Sequence, residues 1–344
     1  MTAVAPERTE PTIAEQAPTL LGQIAGYAGH RTVAIGLRSG LLAALDARPG
    51  VSAEDLADSL GFDHFYVSVW CRSALAAGVL ERENDGFGLA PHMGTLLLDT
   101  TSPAYVGGVF LVCEAPEMFG RFEQHLASGE RMWWADTSPE WIAGVAGTGT
   151  PFYTRLVPGG LAQVPGLADQ LAAGCLVVDT ACGAGVGLIR LATTYPECEI
   201  VGVDGDAHSI EQARARVADA GLTDRIRLVC SPLEDMALDL QADLVINNIS
   251  MHECRDADRV TANVKAALRP GGSFVISDFS FPDSDAGLRT VPGRVMCAIQ
   301  FFEAQIDDQL LPRSAYDDLL TRHGFTDLGS AQLTPMHALT WGRA

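Results

Sequence analysis

The chain lacks any run of about 18 or more uninterrupted apolar residues, so none of its 344 residues forms a candidate membrane-spanning helix. Its first stretch, MTAVAPERTEPTIAEQ, is polar and acidic and has no apolar centre of the kind a secretory signal needs. The expectation is a soluble, cytoplasmic protein with no membrane partner. Basic residues are scarce: 23 Lys and Arg stand against 43 Asp and Glu, a formal charge of −20. Such a surface repels phosphate backbones, which argues against nucleic acid as partner or substrate and leaves a small molecule. Disulfide patterning is also missing. The eight cysteines (Cys71, Cys113, Cys175, Cys182, Cys198, Cys230, Cys254, Cys297) stand singly with no C-x-x-C pair, and read as reduced, mostly buried small hydrophobes.

What is present is apolar material for two cores, 47% of the chain. Residues 1–15 mix Pro, Thr and Glu without periodicity and read as a disordered tail. From Gln16 to Leu45 apolar residues at helical spacing (Leu20, Ile24, Tyr27, Val33, Leu37, Leu41, Leu45) predict two helices, each burying one face. A helix–turn–helix–hairpin pattern follows. Ser52 with Asp55 makes a capping box and Gly61 closes the first helix. The second runs from about Asp63 to Ala77, and Val79–Glu83 and Phe87–Ala90 are paired strands around an Asn84-Asp85-Gly86 turn. This order is similar to a winged helix. Its second helix carries only Asp63, His64 and Arg72 as strongly polar groups, too few basic and amide side chains to read a major groove. Packing or dimerisation is the favoured role for residues 16–100.

Residues 101–170 read as helices and loops holding Phe110, Met118, Phe119, Phe122, Trp133, Trp134, Trp141, Phe152 and Tyr153. Inter-domain core explains most of them, and a pocket wall, to which Trp133 and Tyr153 are assigned, is the sharper alternative. From residue 171 the pattern changes. Short β-rich runs (CLVVD, EIVGVD, IRLVC, DLVIN, SFVISD) alternate with helical segments, which predicts a parallel sheet with helices on both faces. Two last strand-like runs around Thr334-Pro335 predict an antiparallel pair at its edge.

The first strand runs into VVDTACGAGVGLIRLA, with glycines at 183, 185 and 187. A dinucleotide fingerprint starting at Gly183 needs glycine where Leu188 stands, and no G-K-[ST] phosphate loop is present. The turn resembles motif I of class I methyltransferases: Asp179, Ala181, Gly183 and Gly185, with alanine at the first small position. The segment DLVINNISMHECRDADRVTANVKAALRPGGSFVISD resembles the post-strand region of O-methyltransferases that carry an N-terminal dimerisation domain, with His252, Asp256 and Asp258, and Pro270-Gly271-Gly272 on that family's histidine, acidic stretch and turn.

The resemblance implies an α/β, Rossmann-like, seven-stranded methyltransferase domain, mostly parallel with an antiparallel edge, behind an α-helical winged-helix-like domain that forms a homodimer. It implies S-adenosyl-L-methionine as cofactor and S-adenosyl-L-homocysteine as product, held by Asp179, Ala181, Gly183, Gly185, Asp204, Ser231, Leu233 and Asn247. Asp204, at the end of the second strand, is placed to accept the ribose hydroxyls, and Leu233 to pack on adenine, with Ser231 where an acidic residue is often found. His252 is the expected general base for a hydroxyl acceptor, oriented by Asp256 or Glu303. Met296, Gln300 and Phe301 on a later helix are further pocket candidates, although core packing accounts for Met296 and Phe301 equally well. O-methylation in specialised metabolism, antibiotic biosynthesis included, is the favoured activity, and no metal is assigned. The alternatives are a metal-assisted C-methyltransferase of an α-keto acid, with ligands from His252, Glu253 and Asp278 or Glu303, and a non-methylating cyclase or rearrangement enzyme on the same scaffold.

Overall fold

The computed structural model describes residues 10–133 and 136–344. They fall into two compact units, one comprising the chain up to Asp99 with Tyr105–Glu114, the other Thr100–Ala104 with Ala115–Ala344. Trp134 and the first nine residues of the expected tail lie outside the described residues.

In the first unit, helix α1 (Ile13–Ser39) starts inside the segment expected to be disordered. The cause is local: the Glu15 N–H donates to the Thr12 hydroxyl, and the Thr12 N–H donates to the Glu15 carboxylate, a reciprocal cap. The expectation that both early helices bury a face needs a second correction. Residues 13–28 are exposed throughout, and α1 buries only Thr32, Val33, Ala34 and Gly36. Gly40, at φ 77°, ends α1 and opens α2 (Leu41–Ala47), a left-handed backbone that glycine takes without a Cβ penalty.

Helices α3 (Ala53–Leu60) and α4 (His64–Ala76), strands β1 (Leu80–Glu83) and β2 (Gly86–Leu89), and helices α5 (Met93–Leu97) and α6 (Gly107–Val112) complete the unit. Leu42, Leu45, Leu56, Trp70 and Phe87 form its core, where Trp70 Nε1 donates to the Thr32 carbonyl at 2.9 Å. The face of α4 that would read DNA shows Phe65, Tyr66 and Val69 to solvent.

The second unit opens with α7 (Pro116–Gln124), α8 (Pro139–Arg155) and α9 (Leu167–Ala173). Then β3 (Leu176–Thr180), α10 (Val186–Thr194), β4 (Glu199–Asp204), α11 (Ala207–Asp219), β5 (Ile226–Cys230), β6 (Ala242–Asn248), α12 (Ala257–Ala267) and β7 (Leu268–Phe279) alternate. Helices α13 (Asp285–Leu288), α14 (Val291–Glu303) and α15 (Arg313–Arg322) precede the hairpin of β8 (Thr326–Thr334) and β9 (His337–Arg343).

The sheet order is β5-β4-β3-β6-β7-β9-β8, parallel from β5 to β7, with β9 antiparallel to β7 and to β8. Period-2 alternation sends Val177, Leu244 and Val275 into one apolar layer and Val178, Val245 and Phe274 into the other. The order reverses between β3 and β6, and ligands of doubly wound sheets bind at the carboxyl ends of the strands beside that reversal. Pro270-Gly271-Gly272, expected as a turn, lies within β7 as an irregularity: register jumps from Ala242 opposite Leu268 to Leu244 opposite Ser273, with Gly271 at φ 78°.

Lys265 near the end of α12 donates to the carbonyls of His323 and Gly324, each at 2.7 Å. Those carbonyls lie where α15 ends, so a cation satisfies orphan acceptors at a helix C-terminus.

Candidate active site

Motif I forms the floor. After β3 the backbone runs through three left-handed residues, Ala181 (φ 59°), Gly183 (φ 53°) and Gly185 (φ 82°), before α10 starts. An alanine at positive φ is uncommon, and strain of this kind gathers at functional sites. Among the described residues a Cβ built on Gly183 would meet nothing within 4 Å, whereas one on Gly185 would press on Ala213 at 3.0 Å. Gly183 therefore faces open space and Gly185 is a packing glycine.

Asp204, half-buried at the end of β4, spans the loop: its carboxylate accepts the N–H of Gly183 and that of Asp206, each at 2.8 Å. A carboxylate has about four acceptor positions, so two remain for a ligand's hydroxyls. Burial raises its pKa, against those two N–H donors. Ser231 is half-buried and donates to the Pro232 carbonyl at 3.0 Å, and Leu233 is buried beside it.

Two residues take other places than the sequence suggested. Asn247 is fully buried, donating to the Thr180 hydroxyl at 3.1 Å and accepting from Ser250 at 3.1 Å, so its amide joins the ends of β3 and β6. Tyr153, assigned to a pocket wall, lies beneath motif I. Its hydroxyl donates to the Asp179 carboxylate at 3.0 Å, and its ring covers Gly187, where a Cβ would collide with it. Asp179 is wholly buried, and burial pushes it up to about 8 despite the tyrosine's bond.

The second cluster surrounds His252, buried in the turn after β6. Because β6 and β7 are parallel neighbours, their carboxyl ends meet, and His252 Nδ1 lies 2.9 Å from Asp278 near the end of β7. Asp278 also accepts from the Tyr316 hydroxyl at 2.8 Å and the Phe279 N–H at 2.7 Å. Burial would raise this carboxyl, but the His252 charge and these donors hold it below its ordinary value.

His252 Nε2 is left facing Glu303 Oε2 at 3.8 Å and Glu253 Oε1 at 4.0 Å. Burial pulls His252 down, yet Asp278, Glu303 and Glu253 outweigh it and raise it to about 10. Burial raises Glu253 to about 8 and Asp308 to about 7. Among the described residues Glu303 Oε2 has no hydrogen-bond partner, and one donor atom each from His252, Glu253 and Glu303 lies within 4.8 Å of the others.

Of the two carboxylates expected to orient His252, neither does so. Asp256 is exposed and caps α12, accepting the Arg259 N–H at 2.9 Å. Glu303 stands on the Nε2 side, at a distance longer than a hydrogen bond. Asp278 does the orienting, and the sequence signal for it was present: adjacent parallel strands carry a histidine and an aspartate just past or at their ends. Among the pocket candidates, Met296 is buried, and Gln300 is spent on local backbone, donating to the Asp308 carbonyl and accepting from the Leu310 N–H. Phe301 is 40% exposed and packs edge-on against Phe119 and Phe122, while Trp133 is covered by the Arg255 guanidinium at 3.4 Å.

Residues 171–312 match the family model of a methyltransferase domain. The chain is 30% identical over 136 residues to 27-O-demethylrifamycin SV methyltransferase of Amycolatopsis mediterranei, covering 38% of this chain and 50% of that one. It spans half or less of the length of the curated relatives it matches. An O-methyltransferase family protein from Burkholderia thailandensis superposes with a TM-score of 0.70 at 18% identity, over 97% of this chain and 98% of the other. Human N-acetylserotonin methyltransferase, solved with S-adenosylmethionine, gives 0.68 at 16% identity over 97% and 99%. The chain thus shares its fold, along nearly its whole length, with these two solved structures.

Proposed function

We propose that this chain, whose residues 171–312 form a methyltransferase domain, is an S-adenosylmethionine-dependent enzyme that methylates a hydroxyl of a small molecule, with His252 as general base. The observation that carries the reading is the buried His252–Asp278 pair at the carboxyl end of the sheet, on the strand pair beside motif I. The residues fit the cofactor: open space over Gly183, free acceptor positions on Asp204, and an apolar Leu233 beside them. S-adenosylmethionine supplies a methyl group already activated on a sulfonium. Alignment is therefore the main requirement, and removal of the acceptor's proton adds to it.

Asp278 fixes the imidazole through Nδ1, which leaves Nε2 to take that proton. Asp278, which positions His252, also keeps it protonated together with Glu303 and Glu253, since its pKa is raised to about 10. Only the neutral ring is a base, so kcat/KM should climb with pH along a limb centred far above 6.5. Asp278→Asn removes the main raising charge and should move that limb down by about one pH unit or more. A limb that stays in place in the variant would remove His252 from the chemistry.

One observation favours a second reading, metal-assisted C-methylation of an α-keto acid: the converging His252, Glu253 and Glu303 donors, with Glu303 Oε2 unpartnered among the described residues. A chelator separates the two. Hydroxyl methylation persists in it, whereas keto-acid methylation disappears and returns with a divalent ion.

The unit that begins with α1 is proposed to form a homodimer. Leu20, Leu21, Ile24 and Tyr27, each more than 60% exposed, line one side of α1, an apolar stripe that a second copy would cover. Light scattering should give twice the 36.5 kDa chain mass, and Leu20→Glu with Ile24→Glu should return the monomer. A wild-type monomer would refute it. Placement in specialised metabolism is supported by the rifamycin-modifying relative.

A further inference from the structure

We propose that Cys175 and Cys198 form a dithiol modification site that a hydroperoxide converts to a disulfide. The pair lies at the opposite ends of β3 and β4 from motif I and takes no part in methyl transfer. Cys175 immediately precedes β3 and Cys198 immediately precedes β4, and the register that sets Leu176 beside Glu199 makes the two cysteines neighbours across the parallel strands. Parallel neighbours lie about 5 Å apart in Cα position, inside the range a disulfide spans. Their sulfurs are already 3.8 Å apart.

The backbone around them is pressed together: the Glu199 N–H donates to the Cys175 carbonyl at 3.1 Å, and a Cβ on Gly174 would run into the Glu197 carbonyl at 2.7 Å. Closure therefore falls to side-chain rotation.

The two thiols are unlike. Cys198 is buried, its thiol donates to the Leu171 carbonyl at 3.3 Å, and the Arg225 guanidinium holds its carbonyl at 3.0 Å. The Cys175 hydrogen bond, aided by Arg225 and opposed by burial, lowers Cys198 below the ordinary thiol value, so Cys198 is the first of the two to give up its proton and act as the nucleophile. Cys175 is half-buried and gives a small oxidant its way in. The Cys198 thiolate attacks the peroxide oxygen, breaking the O–O bond to give a sulfenic acid and hydroxide, which takes up a proton. The Cys175 sulfur then displaces water from that sulfenic acid and loses its proton. In sum, two thiols are oxidised and one hydrogen peroxide is reduced to two waters.

The test treats the reduced full chain with one equivalent of hydrogen peroxide, alkylates the remaining thiols and maps peptides by mass spectrometry. The expected product is an intramolecular peptide joining Cys175 to Cys198, with the chain lighter by two hydrogens and restored by dithiothreitol. In Cys175→Ser the link is absent and dimedone traps a sulfenic acid at Cys198. Recovery of both cysteines alkylated while exposed Cys230 is oxidised, or a link through any other cysteine, overturns the proposal, and the wild-type map alone decides this if the variant does not fold.

Discussion

Replacing His252 by glutamine lowers kcat for hydroxyl methylation by about a hundred- to ten-thousandfold, the usual contribution of a positioned general base. Titration with S-adenosylhomocysteine should find the affinity nearly unchanged, because neither Gly183 nor Asp204 depends on the imidazole for its partners. The variant also loses the steep limb of the pH profile. Stability provides a second readout. The folded-state value of His252 is raised from 6.5 to about 10, so the stabilisation from its proton is fully present below pH 6.5 and is lost as pH rises through 10. Wild-type protein should therefore weaken across that window more than the variant does. Full activity in His252→Gln would end the general-base reading and leave alignment as the whole of catalysis.

Asp204→Ala should weaken S-adenosylhomocysteine binding by about tenfold or more, since charge-assisted hydrogen bonds contribute about 1.5–3 kcal/mol each. Two effects combine. The acceptors proposed for the ribose hydroxyls vanish, and the Gly183 and Asp206 N–H groups lose the carboxylate that links them. Asp206→Ala is the control. Asp206 caps α11 through Ser209 at 2.8 Å, so its loss should lower the melting temperature and leave affinity largely intact. Calorimetry on both variants distinguishes nucleotide binding from loop stability, and equal losses would make the Asp204 role structural.

Much of this is legible in the amino-acid sequence, for identifiable reasons. Strand runs such as EIVGVD are short, β-branched and bounded by turn residues, and β4 covers the six residues read from the sequence. The capped helix at Ala53–Leu60 followed from Ser52 and Gly61, both local signals. The misses were relations between distant residues. Asp278 lies 26 positions from His252 and meets it only because β6 and β7 are adjacent. Tyr153 carried an aromatic's ordinary signal for a pocket, and nothing local indicated that Gly187 leaves room for its ring beneath the loop. The early start of α1 was missed because the Thr12–Glu15 cap sits in a stretch whose composition suggested a tail.

The bond that Lys265 makes at the end of α15 has a practical side. It is the chain's single lysine, and both carbonyls it holds belong to the turn that terminates the helix carrying Tyr316, whose hydroxyl supports Asp278. An amine-reactive reagent thus meets one side chain whose nitrogen is engaged while that helix end is docked. The rate of acylation at this position becomes a chemical gauge of whether α15 is seated, readable on the unlabelled enzyme without an engineered probe.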